Sequence, residues 1–235
     1  FLRLDLTNLD AGWETVPPWP GSERAFNLLV NQSDGQRDCL YLMGGRHMGT
    51  DGKLEFLSDV FEYNPIRKHS LWRKRTDIPR PQAAGTAAAV GQGHIFLLAG
   101  ADGSLYSQAD ELKERHPGFP KTIHAYHTIT DTWIQAGEMP VNQVTTHAVV
   151  TDGRILIASG EVKPRIRTKA IWSIRPKVKT TVFETANWMA IVIYLAAVMG
   201  IGFFFARRNK NTDDFFRGGQ RVPGWAAGLS IFATM

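Results

Sequence analysis

Three runs of apolar residues, each closed by a glycine, recur along the first 160 residues. They are Cys39-Leu-Tyr-Leu-Met-Gly-Gly45, His94-Ile-Phe-Leu-Leu-Ala-Gly100 and Arg154-Ile-Leu-Ile-Ala-Ser-Gly160, with the glycines 55 and 60 residues apart. A short unbroken apolar run bounded by turn residues predicts an apolar strand. A strand carrying an aromatic or a polar-apolar alternation follows each run: Asp59-Val-Phe-Glu-Tyr-Asn-Pro65, Ile123-His-Ala-Tyr-His127 and Lys169-Ala-Ile-Trp-Ser-Ile174. Another strand precedes each glycine run, at 25–30, 85–90 and 146–151. Trp13, Trp72 and Trp133 lie 59 and 61 apart, and each stands shortly before a proline, Pro17, Pro79 or Pro140. Self-similarity at this period predicts stacked sheets of one repeated unit. Each unit reads as a four-stranded blade. Its second strand ends at the glycine, where the chain turns sharply, and its fourth opens on a tryptophan that packs between blades.

The pattern resembles the kelch β-propeller over residues 1–174, with Ala-Gly and Ser-Gly in the second and third units where kelch repeats usually show Gly-Gly. The fold expected is therefore an all-β kelch β-propeller, incomplete at about three blades. Half a blade occupies 1–16, where Phe1-Leu-Arg-Leu-Asp-Leu6 reads as a strand, and the last unit lacks its tryptophan strand. Propellers close with four to eight blades, so the pattern suggests a circular permutation completed by residues upstream of Phe1. The missing initiator Met and the apolar C-terminal end read as a fragment.

A different pattern begins after the repeats. From 185 to 206 there are 22 residues without Asp, Glu, Lys or Arg, enough for a helix to cross a hydrocarbon core of about 30 Å. Trp188 suits an interfacial anchor. Charge separates the two regions. Residues 1–162 carry 15 Lys+Arg against 19 Asp+Glu, whereas 163–235 carry 12 against 3. The basic residues flank the apolar run and do not stripe the repeats, which argues against nucleic acid as a partner. A single cysteine, Cys39, excludes an intrachain disulfide and a Cys-based zinc cage. It reads as a core residue. No metal site is expected: His124 and His127 are three apart in a strand and so face opposite ways, and His94, His116 and His147 read as isolated.

The candidate chemistry lies after the third glycine, in Ser159-Gly-Glu-Val-Lys-Pro-Arg-Ile-Arg-Thr168. Glu161 and Arg167, with Pro164 stiffening the turn between them, are placed to share a pocket. By spacing alone a rim salt bridge is the ordinary outcome for such a pair. The segment closely resembles the signature of the kelch-type N-acetylneuraminate (sialic acid) mutarotases, roughly Gly-Glu-x-Lys-Pro-Gly-x-Arg-Thr. That resemblance implies that Glu161 and Arg167 are the active-site acid and arginine, with Glu161 moving the proton and Arg167 holding the sugar carboxylate. Lys163 and, at the equivalent rim position of an earlier unit, Arg46 are expected to contact substrate. Arg165 departs from the family's glycine. The long segment 102–120 looks like the family's insertion before the third strand.

Residues 188–235 resemble the start of the sodium:solute symporter family, through Arg207-Arg-Asn-Lys-Asn-Thr-Asp-Asp-Phe-Phe-Arg-Gly-Gly-Gln-Arg-Val-Pro-Gly-Trp225 and the Gly-x-Ser-x-Phe-Ala-Thr pattern beyond it. The resemblance implies a linker at 175–187, a first transmembrane helix at 188–206, a cytoplasmic loop at 207–223 and a second, broken helix starting at 224–235. It implies Na⁺ as the coupling ion, with the backbone of Ala233 near its site, and an outside N-terminus. The propeller would then be periplasmic or extracellular on a multi-pass inner-membrane protein. The whole reads as a sugar-acid mutarotase needing no cofactor, feeding a sodium-driven symporter in a lipid bilayer and relying on the rest of the polypeptide for completion. The alternative is a non-catalytic kelch module that binds a glycan or protein.

Overall fold

The computed structural model describes residues 1–67, 70–177 and 185–208. The chain divides into two units, 1–177 and 178–235. The first unit is built only from antiparallel sheets that follow one another in chain order. A two-stranded ladder pairs β1 (Leu2–Leu4) with β2 (Trp13–Thr15). A four-stranded meander comes after it: β3 (Leu28–Ser33), β4 (Asp38–Met48), β5 (Leu54–Tyr63) and β6 (Arg73–Arg75). The next has the same order, β7 (Ala83–Val90), β8 (His94–Ala101), β9 (Thr122–His127) and β10 (Thr132–Glu138). The last described sheet has three strands, β11 (Ala148–Thr151), β12 (Arg154–Lys163) and β13 (Ile166–Ile174).

The apolar runs form the second strand of each sheet; β4 and β8 are buried along most of their apolar run, whereas β12 buries one face, through Ile155 and Ile157. Cys39, Tyr41, Met43 and Val60 meet Ile95, Leu97 and Tyr126 of the following sheet in one cluster. Ala88, Leu98 and Ile123 meet Ile155 and Ile157 in the next. Leu42, Phe61, Tyr63 and Trp72 are covered in turn by Phe1 and Trp19 from the first ladder and its tail. Each sheet thus packs its face on its neighbour, which is the geometry of propeller blades.

The tryptophan positions repeat the same contact. Trp72 stacks on Tyr63 with ring centroids 4.9 Å apart, and its indole N–H donates to the Pro17 carbonyl at 2.9 Å. Trp133 stacks on Tyr126 at 4.8 Å and donates to the Thr76 carbonyl at 3.0 Å. In both cases the acceptor belongs to the segment that enters a blade, so the indole ties one blade's end to that entry. A buried ion pair adds a tie within the second sheet: Arg24 reaches both carboxylate oxygens of Asp59 and donates to the Gly44 carbonyl at 3.1 Å.

The glycines behave differently from the sequence expectation. They do not end the second strands: β4 continues to Met48, and β12 to Lys163. Instead the pairing register shifts beside them, between Met43 and Gly45 and between Ala158 and Gly160. These are bulges that re-aim the strand, and side chains beyond them point in a new direction. At Gly160 the reason for glycine is twofold. Its φ is +118, and a Cβ there would sit 2.8 Å from the Val144 carbonyl oxygen.

In the second unit, the described helix runs from Thr185 to Arg208 and is long and apolar enough to cross a membrane by length and composition. The expected loop at 207–223 begins inside this helix, since Arg207 and Arg208 are helical. The rest of that loop, the second helix and Ala233 lie outside the described residues.

Candidate functional site

The residues directly after these glycines share one place in the fold. Those residues are Arg46, Ala101 and Glu161, after Gly45, Gly100 and Gly160, and they occupy one structural position in three successive sheets. Arg46 exchanges two backbone hydrogen bonds of 2.9 Å with Ala25, and Glu161 exchanges the same pair with Val144. Ala101 pairs with Ala83 in the corresponding place. All three line one cleft of about 1140 Å³.

The inner edge of that cleft is backbone. Phe26, Ala84 and Thr145 each stand one residue after the bridged one, and each holds a left-handed backbone, with φ of 57, 52 and 54. The Ala84 N–H donates to the Phe26 carbonyl and the Thr145 N–H to the Ala84 carbonyl, both at 2.9 Å. Non-glycine residues rarely take this conformation, and its recurrence at three equivalent positions marks a built feature. Sequence reasoning missed it. Phe, Ala and Thr share no chemistry, so only their spacing of 58 and 61 residues carries the signal.

The insertion 102–120 forms the outer wall. It holds two 3₁₀ turns and a short helix and carries Tyr106 and Asp110 into the cleft lining. Gly103 lets it lie flat on the first blade, because a Cβ there would stand 2.4 Å from the Phe56 ring. Tyr106 then meets Phe56 with centroids 5.7 Å apart. The insertion also grips the β12–β13 hairpin. Lys163 donates through Nζ to the Glu114 carbonyl at 2.6 Å, and Arg165 pairs with Asp110 at 2.9 Å.

The four expected site residues are placed unequally. Glu161 lines the cleft and is mostly covered, its side chain 24% exposed. Arg167 is its cross-strand partner and lies 3.3 Å away, but it is 64% exposed and is not among the residues lining the cleft. The Arg165 amide also donates to Glu161, at 3.4 Å. Arg46 lines the cleft, stacked over Phe26 at 4.4 Å and Tyr106 at 5.5 Å. Lys163 lines a neighbouring hollow of about 410 Å³ with Phe119 and Trp172. Glu161 and Arg46 therefore share the cleft, whereas Arg167 stands behind Glu161 and Lys163 faces the insertion.

Among the described residues, Asp34, Cys39 and Glu62 bring ligand-type atoms together. The thiol is pushed up to about 12 by burial and by the charges of Glu62 and Asp34, and it donates to Asp34 at 3.7 Å. Glu62 is bonded to Arg75 and the Tyr41 hydroxyl. Of the other histidines, His94 and His127 stack with ring centroids 4.7 Å apart, and His116 is buried and accepts the Gly118 N–H. His94 is thus paired where the sequence suggested isolation.

No protein-family model matches the chain. Over 194 residues, 73% of the chain, it is 24% identical to the N-acetylneuraminate epimerase of Salmonella typhi, of which it covers 49%. Over 52 residues, 22% of the chain, it is 56% identical to the sodium/sialic acid symporter NanT of Aliivibrio fischeri and 54% identical to the sodium/sialic acid symporter SiaT of Proteus mirabilis, covering 10% of each. The solved structure of YjhT shares the fold, with a TM-score of 0.59 and 22% identity over 71% of this chain and 54% of that one. The chain spans about half the length of the epimerases it matches and a tenth of the symporters. It combines an epimerase-like, kelch-propeller-like stretch with a symporter-like one.

Proposed function

We propose that this polypeptide couples exchange of sugar anomers, in the propeller, to sodium-driven uptake of a sialic acid or related sugar acid through a symporter domain. The observation that carries the reading is Glu161, brought by the bulge at Gly160 into a cleft large enough for such a sugar and bonded there to Arg167. Opening and reclosing a hemiketal needs one proton taken from the anomeric hydroxyl and one given to the ring oxygen. A positioned carboxyl group does both, and such transfer contributes about 10²–10⁴-fold. The chemistry calls for no metal or redox cofactor. Lys163, bonded to the insertion, would shape the site's outer wall.

The apolar helix and the likeness to sodium/sialic acid symporters support a multi-pass inner-membrane protein with the propeller on the periplasmic or extracellular side. In this reading residues 1–174 are the propeller portion, 175–187 the linker and 188–206 the first span, the described helix Thr185–Arg208 reaching past that span on both sides; 207–223 is a cytoplasmic loop and 224–235 the start of the second span. Na⁺ would be the coupling ion of the complete transporter, and its expected site near Ala233 lies outside the described residues. The rest of the polypeptide completes both the propeller and the transporter.

The test is the rate at which freshly dissolved N-acetylneuraminate reaches anomeric equilibrium, followed by NMR with the intact polypeptide. Acceleration over buffer that is lost in Glu161→Gln is the expected result. Equal rates in buffer, parent and variant would overturn the enzymatic reading. A second reading is favoured by the commitment of both Glu161 oxygens to Arg167 and the Arg165 amide. In that case the propeller captures the sugar without turning it over, and line-broadening appears with no gain in rate.

A further inference from the structure

We infer that Arg46, rather than Arg167, is the group that binds the sugar carboxylate and sets the site's preference for acids. The inference rests on the sugar-acid reading above and names the residue that enforces it.

Three observations carry it. First, position: Arg46 and Glu161 are the same residue of two blades, held by matching backbone bridges, and Ala101 between them leaves space where a longer side chain would stand. A cation and a carboxylate thus face one cleft from two sides of a small residue. Second, availability: among the described residues, no carboxylate or carbonyl takes a hydrogen bond from the Arg46 side chain, which rests against the faces of Phe26 and Tyr106. The two rings hold the guanidinium by cation–π contact, and its N–H groups have no acceptor among the described residues, which leaves them to a ligand carboxylate that a guanidinium can bind bidentately. Third, the competitor is occupied: Arg167 is bonded to Glu161, well exposed, and outside the cleft lining. Its place is that of a positioning residue for Glu161.

The other charged groups of the cleft do not offer the same site. Asp102 accepts from Ser104 and lies 3.9 Å from Arg80, and Asp110 is paired with Arg165. Lys113 lines the cleft on the insertion, without a planar fork.

The experiment compares binding of N-acetylneuraminate and its methyl ester to the intact polypeptide, by ligand-observed NMR titration. Hydrogen bonds to a charged group give the acid an advantage of about tenfold or more over the ester. Arg46→Met should erase that advantage by weakening the acid alone, and retained ester binding shows that the cleft is intact. Arg46→Lys, which keeps the charge and loses the stacked plane, should give an intermediate ratio. Arg167→Met should leave the ratio unchanged while slowing anomer exchange. A preference that survives in both Arg46 variants, or that vanishes in Arg167→Met, overturns the assignment. A parent that binds neither compound overturns the sugar-acid reading itself.

Discussion

Arg165 sits at φ +64 directly after Pro164, at the tip of the β12–β13 hairpin. The mutarotase signature has glycine there, and the left-handed backbone is the physical reason. A side chain at this φ costs on the order of 1–2 kcal/mol, from which glycine's own chain entropy of about 0.5–1 kcal/mol must be subtracted. Arg165→Gly is therefore expected to stabilise the propeller by about 0.5–1 kcal/mol, read from its chemical unfolding midpoint. The lost ion pair to Asp110 is surface-exposed on both sides and offsets little of this. Ser159, at φ +59, holds a similar strained conformation where kelch repeats usually have the first glycine of the pair, and its hydroxyl donates to the Thr168 carbonyl at 3.0 Å.

Between elements, the connections run from the end of one blade to the entry of the next. Asp131, in the β9–β10 turn, accepts from the Tyr126 hydroxyl at 2.6 Å and from the Thr76 amide at 2.9 Å. Burial alone would raise its pKa, but these hydrogen bonds outweigh it and hold the carboxyl below the ordinary carboxylate value. A depressed carboxylate stabilises the fold above its unfolded pKa, about 3.9, and that contribution disappears as pH falls through the lower folded value. Asp131→Asn should accordingly lower stability at neutral pH and flatten the acid limb of the stability curve. Parallel acid limbs in parent and variant would contradict this. The strands, their repeat and the indole packing were legible in the sequence because a buried second strand demands an apolar run, repeated at the period of the blades. The bulges were not. A register shift depends on which carbonyl approaches the glycine from the neighbouring segment, and the sequence shows the glycine without the approach. The motif pointed to Glu161 and Arg167 as a pair, but it did not show that Glu161 and Arg46 line the cleft while Arg167 does not.

For the molecule as a whole, the helix Thr185–Arg208 is long and apolar enough to cross a membrane, and the proposed function uses it as the first span. An arginine placed at Ala197, near its centre, costs about 2.5–3.5 kcal/mol of membrane insertion. Ala197→Arg should therefore shift the first span out of the carbonate-resistant membrane fraction in an insertion assay, and unchanged partitioning would argue against a spanning role. The row of Phe26, Ala84 and Thr145 has a consequence for how the cleft can be altered. Its bonds join main-chain atoms alone, so changing the Ala84 or Thr145 side chain leaves them in place, whereas the Phe26 ring is also needed against Arg46. The neighbouring sockets at Arg46, Ala101 and Glu161 can then be refitted one at a time. Such a frame lets a descendant acquire a new ligand without first renegotiating its fold.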